Sequence, residues 1–484
     1  MNFISIAYIV FFIVVAFIYF RLPQQQRWIL LLVASYFFYA YWEVTYLILI
    51  VFSTFVDYFV ARLIGATPQD NQVRRRALIT ISLLINLGTL FVFKYFNFFA
   101  DSLNDLLMQL GLNTNLATLE ILLPVGISFY TFQSMSYTID VYRGHIQPEK
   151  HFGVFATYIA FFPQLVAGPI ERAGNMLPQF FEDHRFDYAR IVSGLRLMLW
   201  GAFKKVVIAD RIAEYVNTIY GRPEDYTGTV LILGTLLFAF QIYCDFSGYS
   251  DIAIGTARIF GFDLMTNFRQ PYLSRSFREF WRRWHISLST WFRDYVYIPL
   301  GGNRVPFSRN VLNLLIVFVV SGLWHGANWT FAIWGAIHGL VLAFEATAEH
   351  FQISLLPKQI NPTIRNTIAL GITFTIVCIA WVFFRANNVS DAIYIVTHLF
   401  HFGANPPIIL ANGHVFNAYD LITSFGLIAF LIITEWAWNQ ETLIKPRHIT
   451  HYVRQFGYAL MLGLIIATYL SNVNASENFI YFQF

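Results

Sequence analysis

Cysteine and charge are scarce in this sequence. Its 484 residues contain two cysteines, Cys244 and Cys378, both inside apolar runs, so neither a disulfide framework nor a cysteine-based metal site is implied. Charged residues make up only 12%, about half of the ~25% found in soluble domains. No long polar linker, fixed-period repeat or low-complexity tract divides the chain. The N-terminal run from Phe3 to Phe20 lacks a basic leading region and a small-residue cleavage site, so it reads as a first span and not a removable signal. The 32 basic and 28 acidic residues leave a net charge of +4, which supports no polyanionic partner. Together these absences exclude soluble, disordered, fibrous and nucleic-acid-binding proteins.

What remains is apolar. Hydrophobic residues make up 57% of the chain, and the mean hydropathy is +0.54. Apolar runs near the ~20 residues that cross a bilayer cover roughly 1–20, 28–42, 44–61, 77–100, 119–142, 152–169, 191–209, 229–256, 311–345, 367–384, 421–438 and 456–471. They predict an all-α polytopic membrane protein of about eleven or twelve membrane segments, because lipid leaves backbone polar groups no outside partner. The run 311–345 reads as one or two passes. Arg21, Arg27, Arg62 and Arg74–Arg76 fall in alternate loops, whereas 101–120 holds acids and no Lys or Arg. The positive-inside rule then places the N-terminus outside and the arginine-bearing loops in the cytoplasm.

Residues 258–310 are the least lipid-like stretch, with nine arginines, no lysine and three acids. At helical spacing Trp281, Trp284, Leu288, Trp291 and Tyr295 share a stripe, which predicts one interfacial helix with rings in the acyl boundary and guanidiniums in water. The arginines suit anionic lipid, or a phosphate-bearing donor held by bidentate contacts. His285 lies on the apolar side of that helix, where a pure lipid anchor gains nothing from a titratable group.

In VLNLLIVFVVSGLWHGANWTFAIW, residues 311–334, His325 sits deep in the membrane-embedded region, on a continued helix or at a glycine-weakened break. Ionisable residues there mark pathways or reaction sites by default, although a neutral histidine bonded to a neighbouring helix would look the same. A desolvated histidine favours the neutral form that can take a proton from an alcohol. His338 has a weaker context, and a structural role is preferred for it. Asp57 and Asp140 also interrupt apolar runs. Asp245 and Asp251 bracket CDFSGYSD, which reads either as the interrupted helix of an ion-coupled transporter or as a polar wall on a substrate cavity.

Seven ordered motifs carry a resemblance: LLVASYFFYAYW (31–42), LLPVGISFYTFQSMSYTIDVYRG (122–144), FFPQLVAGPIER (161–172), YCDFSGYSDIAIG (243–255), NFRQPYLSRSFREFWRRWHISLSTWFRDYVYIPLGGNR (267–304), SGLWHGANWTFAIWGAIHG (321–339) and WVFFRA (381–386). The terminal FIYFQF (479–484) fits as well. The chain resembles the membrane-bound O-acyltransferases, in the bacterial branch that modifies cell-surface polymers through alginate or peptidoglycan O-acetylation. The resemblance implies a single funnel-shaped domain, with N-terminal helices in 1–118, a motif-bearing core in 119–345 and C-terminal helices in 346–484. It also implies re-entrant and interfacial helices around a thin partition.

The family's two characteristic histidines map onto His325, as the essential base or acyl-handling group, and His285, as its support near the donor. Trp324, Asn328, Asp245, Ser247, Arg282 and Arg283 are the accompanying substrate-binding candidates, and no metal or bound cofactor is expected. The implied donor is acetyl-CoA. The implied acceptors are a periplasmic O-acetyltransferase partner and, through it or directly, a polysaccharide. The implied place is the bacterial inner membrane, among its lipids. D-alanyl transfer to teichoic acid shares the motifs, and a transporter using Asp245 and Asp251 is the alternative of a different class.

Overall fold

A computed structural model describes residues 1–112, 116–166, 168–354, 357, 359–440 and 451–471. The terminal FIYFQF motif lies outside the described residues. Among the described residues the chain is helical, and its one β feature is an isolated antiparallel bridge between Ile409 and Val415. Among the described residues, seven helices or helical rods are long and apolar enough to cross a membrane: Val44–Ala66, Gln72–Gln109, Thr229–Phe260, Phe307–His325, Trp329–His350, Pro362–Arg385 and Ala418–Trp436. Ile6–Arg21 and Gln455–Leu470 are shorter apolar helices. The chain is therefore an all-α polytopic membrane protein. The run 311–345 resolves as two passes.

The chain forms two compact units, Met1–Met198 with Ser250–Met265, and Leu199–Tyr249 with Thr266–Phe484. The first contains α1 (Ile6–Arg21), α2 (Gln24–Ala40), α3 (Leu47–Ala66), α4 (Gln72–Leu90), α5 (Phe96–Gln109), α6 (Ile127–Arg143), α7 (Phe152–Ala160), α8 (Phe162–Leu165), α9 (Ala173–Gln179) and most of α10 (Tyr188–Ala202). A π-helical turn, Phe91–Tyr95, fuses α4 and α5 into one rod. The apolar run 152–169 does not become one long helix. It divides into α7 and α8 at Phe161, next to Pro163, which has no N–H to give a helix.

The first unit keeps one carboxyl deep in its helices. Asp57, on α3, is fully buried. Its Oδ1 accepts from Ser82 and Asn86 on α4, and its Oδ2 accepts from Asn86 and from Ser134 on α6. Ser53 closes the network by donating to Asn86 Oδ1 at 2.8 Å. In a bilayer core no solvent can replace these partners, so the network fixes the register of three helices that apolar side chains alone would let slide.

The second unit contains α11 (Asp210–Gly221), most of α12 (Thr229–Phe260), α13 (Phe277–Trp281), α14 (Ile286–Phe292), α15 (Phe307–His325), α16 (Trp329–His350), α17 (Pro362–Arg385), α18 (Val389–His398), α19 (Ala418–Gln440) and α20 (His451–Ser471). Its core is aromatic, with Trp284, Trp334 and Trp381 fully buried at the centre. Helix α12 is unbroken through CDFSGYSD, so the interrupted helix required by the transporter reading is absent. One constraint sets the α15–α16 hairpin. A Cβ on Gly322 would overlap the carbonyl oxygen of Phe331, and one on Gly335 would overlap that of Phe318. Only glycine permits this backbone approach, the small-residue contact that lets membrane helices pack closely.

The Asp57 network yields a direct test. Asp57→Ala strands three buried donors, so it should cost about 3 kcal/mol of stability. Thermal unfolding in detergent should show this as a clear fall in midpoint, with Asp57→Asn falling by less. An Asp57→Ala midpoint equal to wild type would refute the network's role.

Candidate functional site

The site is built where the second unit's helices break. Helix α15 ends at His325, and Gly326, in extended conformation, closes it by donating to Gly322 O. A Cβ at Gly326 would run into the Phe331 ring and force it to shift. Asn328 starts α16: its side-chain oxygen accepts from Thr330 N at 3.0 Å, and its amide donates to Asn387 O at 3.1 Å. Asn328 thus fixes the break as a helix cap, and its side chain is committed to that task.

His325 is 3% exposed. Its ring centroid lies 5.0 Å from Trp324, 5.0 Å from Trp334 and 5.4 Å from Phe384. His285, fully buried, lies 6.4 Å from His325 and 6.4 Å from Trp324. The fold therefore brings together three of the residues singled out in the sequence, His285, His325 and Trp324, in one aromatic chamber.

His285 reaches that chamber by a conformation the sequence pattern does not reveal. The predicted single interfacial helix is broken: α13 ends at Trp281, His285 adopts φ 41° and ψ 55°, and α14 begins at Ile286. A left-handed backbone at a non-glycine residue costs energy and tends to occur at functional sites. Here Asn267 holds it. Asn267 O accepts from Ile286 N at 2.9 Å, while Asn267 Oδ1 accepts from Ser287 N, Ser287 Oγ and His285 Nδ1 at 3.3, 3.0 and 3.1 Å. The backbone N–H donor identifies that amide atom as oxygen, so His285 Nδ1 carries a proton and Nε2 holds the lone pair of the neutral ring. Burial alone pushes the His285 pKa down to about 3. The aromatic stripe also corrects the interfacial expectation. Trp281, Trp284, Leu288 and Trp291 are buried against protein and do not face lipid, because the kink at His285 folds their faces into the core.

The other candidates separate. Phe246 of α12 meets His285 edge-on at 4.6 Å. Its two sequence neighbours, Asp245 and Ser247, bind lysines. Lys205 Nζ lies 2.6 Å from Asp245 and 2.7 Å from Asp210, and Lys204 Nζ donates to Ser247 Oγ at 2.8 Å. These lysines lie on a π-helical segment, Phe203–Ala209, which breaks the apolar run 191–209. Asp245 therefore has a resident cation, which removes the vacant carboxylate that a coupling-ion site needs. Among the described residues no three His, Cys, Asp or Glu side chains are grouped to hold a metal.

Arg282 lines a cavity of about 390 Å³ together with Arg278 and Arg293, over an apolar floor that includes Leu288, Val317, Phe318 and Leu342. Arg283 does not join it; half-exposed in the turn after α13, it pairs with Glu279 of that helix at 2.6 Å. Sequence reasoning missed Asn267, Lys204, Lys205 and Asp210. The available signals were the asparagine opening NFRQPYL and two adjacent lysines inside an apolar run.

A multi-pass helical protein with a buried histidine pair and an arginine-rimmed cavity is suited to transfer chemistry on a charged, partly apolar donor. The family model for MBOAT, the membrane-bound O-acyltransferase family, matches residues 149–388. The chain is 44% identical to the probable alginate O-acetylase of Azotobacter vinelandii, over 80% of this chain and 75% of that one. It is 38% identical to the protein of the same name from Pseudomonas putida, over 96% of both chains. It is also 38% identical to the peptidoglycan O-acetyltransferase of Helicobacter pylori, over 76% of this chain and 72% of that one. The chain belongs to the membrane-bound O-acyltransferase family and is an O-acyltransferase.

The His285 pocket has a pH signature. A ring held neutral in the fold but free to protonate near pH 6.5 when unfolded contributes stability in full above that pH. The contribution is lost as pH falls from about 6.5 towards about 3. The unfolding midpoint should therefore be flat above pH 7 and decline below pH 6.5, and the part due to this residue should vanish in His285→Gln. Asn267→Ala should cost about 2–3 kcal/mol, because it strands buried donors. A midpoint in Asn267→Ala equal to wild type would remove Asn267 as the support of the kink.

Proposed function

We propose that the chain is an inner-membrane O-acetyltransferase that takes acetyl from acetyl-CoA on the cytoplasmic side and delivers it outward. The final product is an O-acetylated cell-surface polysaccharide, alginate-like or peptidoglycan, reached through a periplasmic partner protein. The observation that carries the reading is the pairing of His285 and His325, about forty residues apart in sequence, with ring centroids 6.4 Å apart in a buried aromatic chamber. The names of the relatives, alginate O-acetylase and peptidoglycan O-acetyltransferase, support acetyl as the group and a polysaccharide as its destination.

His325 acts as the base. It removes the proton of the acceptor hydroxyl as that oxygen attacks the thioester carbon. The carbonyl electrons move onto oxygen, then return as the carbon–sulfur bond breaks, and the departing thiolate recovers the proton from the imidazolium. Trp324, Trp334 and Phe384 enclose the ring that takes the proton in the first step. Trp324 packs against His325 and keeps water out. His285, fixed by Asn267, lines the same chamber and supports the donor end. Arg282 is exposed at the cavity mouth with no ion-pair partner among the described residues; it holds donor phosphate, while the apolar floor takes the less polar arm. Arg283, tied to Glu279, contributes at most to the surrounding positive field. Asp245 and Ser247, locked to Lys205 and Lys204, keep α12 in place behind His285, and Asn328 preserves the helix break.

The test is acetyl transfer from labelled acetyl-CoA in liposomes that contain the purified protein and its periplasmic partner. Wild type should turn over, and His325→Ala should lose a factor of at least about 10² to 10⁴, the usual contribution of a positioned base. Arg282→Ala should raise the KM for acetyl-CoA about tenfold with kcat retained, since one charge-assisted contact is worth about 1.5–3 kcal/mol. Equal rates in wild type and a folded His325→Ala would remove His325 as the chemical centre. No transfer from acetyl-CoA in any preparation would overturn the donor assignment.

A further inference from the structure

One face of α16 carries polar atoms that the fold leaves unused. Thr330, Trp334 and His338 stand at successive four-residue steps, so their side chains share that face. They are 1%, 0% and 0% exposed. Among the described residues, Thr330 Oγ1, Trp334 Nε1 and His338 Nε2 have no hydrogen-bond partner. His338 Nδ1 accepts from Trp281 Nε1 at 3.3 Å, which gives Nε2 the proton in a neutral ring. An indole N–H can only donate. The face thus presents two fixed N–H donors with nothing to receive them. Each buried unmet donor costs about 1–3 kcal/mol, and such groups are few in native proteins and call for an explanation.

Trp334 is the member of this row nearest the proposed chemistry. Its ring centroid lies 5.0 Å from His325 at an interplanar angle of 88°, and 5.2 Å from Phe384. The close approach of Gly335 to α15 fixes the helix that carries it. The hydroxyl of Thr330 can rotate towards its own helix backbone. The Trp334 N–H cannot, because the ring is wedged between His325, His338 at 4.8 Å and Trp381 at 5.8 Å. A rigid donor in a water-poor chamber is the kind of group that stabilises developing charge without reorganising.

We propose that the indole N–H of Trp334 is the oxyanion donor of the acyl transfer, bonding the thioester carbonyl oxygen as it gains negative charge. The proposal rests on the reading of His325 as the base and adds the electrophilic half of that site. When the acceptor oxygen bonds to the thioester carbon and its proton passes to His325, the carbonyl electron pair moves to oxygen and is held by Trp334. When the carbon–oxygen double bond re-forms, the carbon–sulfur bond breaks, the thiolate takes the proton from His325, and the Trp334 contact relaxes. No oxidant, reductant or further reactant is needed.

The experiment compares wild type, Trp334→Phe and His325→Ala in liposomes that also contain the periplasmic partner. Thiol release from acetyl-CoA is followed with alginate oligosaccharide or peptidoglycan fragments as acceptor. Trp334→Phe keeps a buried aromatic ring and removes the donor. Its kcat should fall by about 10²–10³, the usual cost of one oxyanion donor, while KM for acetyl-CoA stays within about twofold and the unfolding midpoint stays near wild type. Should Trp334→Phe fail to fold, replacing the residue by benzothienylalanine, with sulfur in place of the ring N–H, decides the matter by the same criteria. A kcat within about threefold of wild type, or a loss carried by KM or by stability, overturns the proposal. An inactive His325→Ala beside an unimpaired Trp334→Phe overturns the donor alone. A fully active His325→Ala overturns the base assignment and the oxyanion site that depends on it.

Discussion

The contact between α15 and α16 at Gly322 and Gly335 is the constraint on which the rest of the site depends. Each glycine lies where a Cβ would overlap a carbonyl oxygen of the opposite helix, so the two backbones meet with no side chain between them. That proximity sets His325, the last residue of α15, against Trp334, on the second turn of α16. It leaves only Gly326 to Asn328 to reverse the chain, with Asn328 capping the new helix and bonding Asn387 O. Any residue larger than glycine would push the helices apart by about the width of a methyl group and open the chamber around His325. Membrane helices gain little from burying apolar surface against one another. Close packing through small residues therefore carries much of the specificity.

A second constraint acts on the other side of the chamber. The strained backbone of His285 is held by four hydrogen bonds to one buried residue, Asn267. The same contacts set the tautomer of the imidazole. Strain, position and protonation are thus fixed together, as expected where a neutral ring must be held ready in a low-dielectric space. The lysine–aspartate cluster behind Phe246 has a different character. There the single ammonium of Lys205 is shared by two buried carboxylates, Asp210 and Asp245. It stabilises the junction of α11 and α12 and leaves neither carboxylate available to a transported ion.

Much of the architecture was legible in the sequence. Low charge and repeated apolar runs required a polytopic helical protein. The sequence left His325 either on a continued helix or at a glycine-weakened break, and the structure shows the break. The motifs WRRWH and LWHG named the two histidines. The arginine–aromatic segment was misread in form. Its 3.6-residue periodicity was real, but the pattern could not show that a left-handed residue at position 285 would split it and turn its tryptophans inward. Arg282 and Arg283 are neighbours in sequence, yet one lines the cavity and the other pairs with Glu279. Asn328 sat on the correct loop, but its side chain caps a helix.

The sequence by itself determined the solvent, the helical class and the two candidate histidines, because transfer energetics, helical periodicity and motif residues are local properties written in consecutive residues. Only the tertiary structure decided which of those residues meet. His285 and His325 share a chamber, Asp245 finds Lys205, and Trp334 stands beside His325 with its N–H unspent. Those pairings depend on backbone approach at particular glycines and on one asparagine's reach across a turn. These are distances between different elements of the fold, and no local pattern encodes them.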